Sequence, residues 1–367
     1  MEYILIWFSL IIFSYFLILF NYIHFSYKPD ILNNLFGFGT LFFVFIHIAI
    51  FLILMNQEIL LPPIIVPLFF FALGIPLAFV VVLIIISTGV VSLNKKKLRK
   101  DFSKFNNKLL EKRKLWSKAK KDTFRKLNHI LIFIGLLVVW YIGLYLVVFF
   151  TGSSTGMIPT ENNMLLVYIR ILNEPNSIRD IMFSFGWFYY LLFFFFYILS
   201  LFMLANEFAR KTRFFSFPFT IFPKLYLSDE ERENFGTYLY FAIGQMFAAF
   251  ICPPMVFFTI LGISSISDLA TSQVGIRFGT SNILWNKKKT WEGSLAGMFT
   301  TFIICFFFIG IYWGVIFSLA FLIFDIFTNK PIKLSDNLLI PIGCSLIFVL
   351  LRYFLNFNYY SFILMWF

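Results

Sequence analysis

The chain is divided into long apolar blocks, such as Tyr3 to Ile23, Ile130 to Phe150 and Tyr312 to Phe327, that run for a membrane's width with hardly a charge. Crossing about 30 Å of hydrocarbon takes about 20 apolar residues in a helix. Backbone N–H and C=O groups in lipid must be satisfied internally, so such a block becomes a continuous helix. Further blocks run from Phe36 to Met55, Ile64 to Val91, Ile181 to Ala205, Thr237 to Ile251, Pro254 into the 260s, Ser294 to Ile309 and Leu338 to Phe354. The expected fold is therefore all-α, a polytopic transmembrane helical bundle of about ten spans. With 60% hydrophobic and only 13% charged residues, the chain lacks the polar residues that would cover a soluble protein of this size. The first block has neither a basic start nor a small-residue cleavage site, which favours an uncleaved helix over a signal peptide. Cys252-Pro253-Pro254 interrupts an apolar run and should end or kink a helix there.

Charge is concentrated in one place. Between Lys95 and Lys126 lie fifteen basic residues against three acidic ones, Asp101, Glu111 and Asp122, a surplus equal to the net charge of +12 for the whole chain. The remainder is balanced, so no nucleic-acid partner is expected. Short loops rich in Lys and Arg stay cytoplasmic. Leu98, Phe102, Phe105 and Leu109 recur within this one at helical steps, giving either an interfacial helix on anionic lipid or an ordinary positive-inside loop. Counting spans forward brings Glu207 to Gly236, Ser267 to Gly293 and Thr328 to Asn337 to the same side, while Gly152 to Asp180 is weakly charged. The expected organisation is N-terminal transmembrane helices over 1–93, a basic cytoplasmic segment over 94–127 and a catalytic transmembrane domain over 128–367.

Cys252, Cys305 and Cys344 are far apart, each inside an apolar block, and read as small buried hydrophobes rather than metal ligands. His24 and His47 lie in or near the first two spans, and His129 alone stands beside charges.

The informative stretch starts at Asp268. An acid in or beside an apolar helix is costly and by default a functional candidate. Gly275 and Gly279 follow at small-xxx-small spacing, which suits either close helix packing or the approach of a ligand. Next comes Trp285-Asn286-Lys287-Lys288-Lys289-Thr290-Trp291-Glu292-Gly293. Its lysines can neutralise a polyphosphate, Thr290 can donate to a phosphate oxygen, and Glu292 with Asp268 offers hard oxygen ligands for Mg2+. No Walker-type or protein-kinase glycine loop is present.

These residues resemble the CTP-binding signature of the polyprenol kinases, the family of dolichol kinase and phytol kinase: DxxAxxxGxxxG, eight residues, then KKTxEG. Asp268, Gly275, Gly279, Lys288, Lys289, Thr290, Glu292 and Gly293 fall in that register, with Thr271 in place of the Ala. Arg125-Lys126-Leu127-Asn128-His129 is similar to the family's RKxxH, and Glu207-Phe208-Ala209-Arg210 to its ExxR. Asp229 to Arg232 resembles an acidic segment of dolichol kinases, and Asp336-Asn337-Leu338 the DNLxxP that opens their last helix. Read without the family, RKxxH is a positive-inside anchor, ExxR a one-turn ion pair and DNL a helix cap.

The resemblance implies transfer of the terminal phosphoryl group of CTP to the hydroxyl of a membrane isoprenoid alcohol, with Mg2+. It implies that Asp268 binds Mg2+ or activates the alcohol, that Lys288 and Lys289 cradle the phosphates, and that Glu292 binds or orients the metal. Asp336 with Asn337, and Arg125, Lys126 and His129, complete the site; Glu207 and Arg210 support it. The implied location is the lipid bilayer, endoplasmic reticulum in a eukaryote or plasma membrane in a prokaryote, with the active site facing the cytoplasm. A phosphatidate-type cytidylyltransferase shares a KxTxEG-like segment but also carries a GHGG motif, which this chain lacks. A CTP-dependent diacylglycerol kinase stays open, because tail selectivity leaves no short motif. A membrane transporter would also carry intramembrane acids, but no internal repeat supports one.

Overall fold

A computed structural model describes residues 2–26, 28–56, 115–151, 187–212, 234–328 and 330–360, with 74–75, 77–78, 82, 111–112 and 363 besides. The helices are α1 (Glu2–Phe25), α2 (Ile31–Asn56), α3 (Lys118–Thr151), α4 (Trp187–Thr212), α5 (Thr237–Ile251) and α6 (Pro254–Gly262). After a π-turn (Ile263–Ser267) come α7 (Asp268–Phe278), α8 (Trp291–Ile309), α9 (Ile311–Phe327) and α10 (Asp336–Val349), the last ending in a second π-turn (Leu350–Phe354). No strand is formed among the described residues, so the all-α expectation holds.

Among the described residues five helices are long and apolar enough to cross a membrane: Lys118–Gly143, Leu191–Phe208, Pro254–Phe278, Trp291–Ile309 and Asp336–Phe354. Ser9–Phe25, Ile31–Ile46, Thr237–Ile251 and Ile311–Phe327 are shorter apolar helices. The outward faces fit the same environment. Leu295, Phe299, Ile303 and Phe307 form an exposed stripe on α8, and Ile311, Val315, Leu319 and Ile323 form one on α9. Contiguous apolar stripes of this length need lipid or a partner to cover them. These helices are compatible with an integral membrane protein. The block at Ile64 to Val91, the weakly charged connection at Gly152 to Asp180, the helical pattern at Leu98 to Leu109 and the acidic segment at Asp229 to Arg232 lie largely or wholly outside the described residues.

Helix ends differ from the apolar blocks where charge is tolerated. α3 starts at Lys118, three turns before the block at Ile130, because Lys and Arg are good helix formers and a helix continues past the hydrocarbon edge. Arg125, Lys126 and His129 therefore stand on one rigid element. Ser267 to Gly293, expected as a polar connection, is helical as far as Phe278: α6, the π-turn and α7 run on continuously, and only 279–290 is a loop. The proline pair acts as expected, with α5 stopping at Ile251 and α6 opening on Pro254, where the missing N–H costs no intrahelical bond.

Compactness divides the chain differently from its linear segmentation. One unit contains Met1–Ser117 and Phe194–Ile243; the other contains Lys118–Phe193 and Gly244–Phe367. In the first, α1 packs on α2, with Tyr15 stacked on Phe45 and donating to the Leu41 carbonyl at 3.3 Å. In the second, α8 packs along both α7 and α9, and α3 lies against the π-turn and α7. Cys252, Cys305 and Cys344 are buried free thiols, as expected of small core residues.

Candidate active site

The second unit contains five charged side chains of interest, of which Lys126, Asp268 and Asp325 are buried and Lys289 and Asp336 part-exposed. Lys126, in the third turn of α3, places Nζ 2.8 Å from Asp268 Oδ2 and donates to the Asp268 carbonyl at 2.8 Å. Both side chains are less than a tenth exposed. Asp268 opens α7 directly after the π-turn, where its own N–H donates five residues back to the Ile263 carbonyl. Single π-turns of this kind recur at functional sites. On the turn's inner face, Ser265 donates to the His129 carbonyl at 3.2 Å.

Lys289 is the second cation. It sits on the hairpin-like loop between α7 and α8, closed by Ile283 N–H to Lys289 O at 3.1 Å and Trp291 N–H to Ser281 O at 2.9 Å. Asn286, buried at the tip, donates to the Thr328 carbonyl at 2.7 Å, and Trp285 stacks on Phe327, so the loop is fastened to the end of α9. Lys289 consequently points inward. It is ion-paired with Asp325 and lies 3.7 Å from Asp336. Burial works against its charge, but the carboxylates of Asp325, Asp336 and Asp268 outweigh burial and raise its pKa above the usual lysine value. Lys289 is thus a permanent cation at physiological pH.

Asp325 is the residue that the sequence reading missed. It continues the buried stripe Trp313, Phe317, Phe321 along α9, taking a position where a large apolar side chain would be expected. It is 1% exposed, and besides Lys289 it receives a hydrogen bond from Ser294 at 2.5 Å. The signal was present: Asp325 is an acid inside the apolar block from Tyr312 to Phe327, and the rule that singles out Asp268 applies to it equally.

The small residues of the expected signature are packing elements in this structure. A Cβ on Gly279 would come within 2.4 Å of the Gly275 carbonyl and 2.7 Å of Thr290 side-chain atoms, and one on Gly293 within 2.6 Å of the Thr271 carbonyl. Gly275 would meet Thr290 Oγ1 at 3.0 Å. Gly293 and Gly297 repeat the Gly275 and Gly279 spacing on the facing helix, so α7 and α8 cross with little between their backbones. Thr290 caps α8, accepting from Gly293 N–H at 3.3 Å. This small-residue crossing carries the loop that delivers Lys289.

Other expected residues are distributed as follows. Lys288 is exposed on the loop. Arg125 pairs with Asp122 at 3.4 Å, an acid that also receives Gln273 of α7 at 3.3 Å. Asp336 begins α10, where its carboxylate accepts from the Asn337 N–H at 3.0 Å and complements the helix dipole. Glu207 and Arg210 belong to the other compact unit. They pair at 2.5 Å, with Tyr238 donating to Glu207 and Arg210 donating to the Asn234 carbonyl at 2.5 Å.

The joint Mg2+ site expected of Asp268 and Glu292 does not fit. The two stand at opposite ends of α7, whose rise is about 15 Å. Glu292 is engaged by Thr280 Oγ1 at 2.6 Å and by the Thr280 and Ser281 N–H groups at 3.2 and 3.0 Å, bracing the turn that leaves α7. Among the described residues no three His, Cys, Asp or Glu side chains are grouped for a metal. Asp336 is the part-exposed carboxylate near Lys289, and Mg2+ that arrives on a polyphosphate needs only one or two protein carboxylates. No protein-family model, curated protein or solved structure matches this chain.

Proposed function

We propose that this chain is a CTP-dependent lipid kinase that phosphorylates a polyprenol such as dolichol. Its products would be a polyprenyl phosphate and CDP. One observation carries the reading: Lys126, Asp268, Lys289 and Asp336, picked out by their resemblance to polyprenol kinase motifs, come from four separate segments and form two ion pairs, Lys126 with Asp268 and Lys289 with Asp336, with the Asp268 charge also felt at Lys289. Phosphoryl transfer asks mainly for alignment and charge neutralisation, and with Asp325 on Lys289 these residues supply two cations and three carboxylates. The alcohol oxygen bonds to the γ-phosphorus, the bond to the bridging oxygen of CDP breaks, and the hydroxyl proton passes to a carboxylate of the cluster. Lys289 meets the phosphates. Lys126 holds Asp268 in place and neutralises it. Bound Mg2+, held by Asp268 and Asp336, would neutralise the nucleotide's phosphates. The protein is an integral membrane enzyme of about ten spans with this cluster at the cytoplasmic face.

The test is transfer of label from CTP by the purified chain in lipid micelles with Mg2+, offered dolichol, phytol, diacylglycerol and phosphatidate in parallel. Label from the γ position in a prenyl phosphate is expected. Label from the α position in a CDP-lipid would make the chain a cytidylyltransferase, and γ label in diacylglycerol alone would change the acceptor. No labelled lipid would end the CTP reading and leave transport as the alternative.

A further inference from the structure

We propose that Lys289 has one fixed carboxylate partner, Asp325, and one exchangeable partner, Asp336, and that a phosphate-bearing ligand enters by replacing Asp336 alone. This rests on the nucleotide reading above and adds how the site opens. The two carboxylates are not equivalent. Asp325 is 1% exposed and is tied to three elements: its side chain holds Lys289 of the loop and Ser294 of α8, and its carbonyl accepts from Thr328 Oγ1 at 2.9 Å. Thr328 in turn accepts from Asn286 of the same loop at 2.7 Å. Asp336 lies 3.7 Å from the Lys289 ammonium, beyond hydrogen-bond distance, and its side chain is 23% exposed.

An incoming phosphate brings more negative charge to a cation that already has two carboxylates near it. Like charges sharing a site repel, so one must leave. Moving Asp325 would disturb α8, α9 and the loop together and leave a buried carboxylate unpaired. Moving Asp336 breaks no direct hydrogen bond to Lys289, and its carboxylate can turn toward solvent or toward a cation bound with the phosphate. Asp325 is therefore a positioning residue. It keeps Lys289 aimed and charged in both the empty and the occupied site.

The experiment uses the full chain in lipid micelles, with Asp325→Asn, Asp325→Glu, Ser294→Ala and Asp336→Asn beside wild type. Acylation of Lys289 by an amine reagent at fixed pH, without CTP, is followed by peptide mass spectrometry. Its rate should rise about tenfold in Asp325→Asn and only about twofold in Asp336→Asn, since losing the close partner exposes the amine more. In γ-label kinetics, Asp325→Asn should raise KM for CTP about tenfold and lower kcat while leaving KM for the alcohol unchanged. Asp325→Glu should restore most of the loss, and Ser294→Ala should show a smaller shift in the same direction. Wild-type acylation rates in Asp325→Asn, or a larger rise in Asp336→Asn, would overturn the assignment. So would an Asp325→Asn variant that changes both KM values alike and is not rescued by Glu. A wild-type chain that transfers no label defeats the kinase reading separately, and the acylation comparison still decides whether Asp325 is the anchor.

Discussion

Lys126 holds Asp268 twice, through the carboxylate and through the backbone carbonyl, both at 2.8 Å and across 142 positions of sequence. One ammonium thus fixes α3 to the start of α7. Removing one partner of a buried pair leaves the other charge uncompensated and costs about 3–5 kcal/mol, whereas replacing both by apolar groups is often neutral. Lys126→Met should therefore lower the unfolding temperature in lipid micelles markedly, and Lys126→Met with Asp268→Leu should recover most of it. Neither variant should transfer phosphate. A double variant as unstable as the single one would show that the pair is not the source of the loss.

The crossing of α7 and α8 ranks its glycines. Ala at Gly279 or Gly293 would press on a backbone carbonyl at 2.4 or 2.6 Å, which cannot swing aside, whereas at Gly275 the nearest atom is Thr290 Oγ1 at 3.0 Å. Overpacking of this kind costs about 1–3 kcal/mol. Gly135 in α3 has nothing within 4 Å, so Ala there should be neutral or slightly stabilising, helix propensity being the remaining effect. Thermal unfolding of the four variants should give the order Gly135, Gly275, then Gly279 and Gly293 as most damaging. Damage of equal size at all four would argue that Thr290 and its neighbours yield.

Glu292 and Asp268 should separate functionally. Glu292 braces the exit of α7 through Thr280 and Ser281, at the end of that helix away from Asp268. Glu292→Gln keeps an acceptor for those donors, so it should reduce γ transfer by less than about tenfold and leave the Mg2+ dependence unaltered. Asp268→Asn should abolish transfer. Loss of Mg2+ dependence in Glu292→Gln would return that residue to the metal.

The apolar blocks were legible because lipid imposes one simple requirement, and α1, α2, α5, α8 and α9 start and stop within a few residues of them. α3 was not fully legible: hydropathy detects the hydrocarbon edge, while the helix continues through Lys118 to Arg125. Asp268 was found by its isolation among apolar residues. Asp325 met the same criterion but was overlooked, because its partner Lys289 is 36 positions away and no local pattern joins them. The lysine itself was recognised as a cation for phosphate, yet sequence spacing gives no sign that it is already held by two carboxylates. Thr290 and the glycines were legible as small residues but not as one crossing, since Gly293 and Gly297 only acquire meaning opposite Gly275 and Thr271.

The π-turn before Asp268 yields a further prediction. In Ile263–Ser267 the hydrogen bond from Asp268 spans five residues instead of four, so one additional residue is accommodated within a single turn. Helix on either side then keeps the faces it would have in an uninterrupted α-helix one residue shorter. Deleting Ile266, the one residue of the turn that is not fully buried, should convert the turn to ordinary α-helix and leave Asp268 facing Lys126. Deleting Ala270 inside α7 has no such reserve. It rotates everything beyond it by about 100° and takes Gly275 and Gly279 away from Thr290. The Ile266 deletion should therefore fold with an unfolding temperature near wild type and retain γ transfer, while the Ala270 deletion should lose both. If the two deletions prove equally damaging, the π-turn does not absorb a residue. It would then set the direction of Asp268 itself, through contacts such as that of Ser265 with the His129 carbonyl.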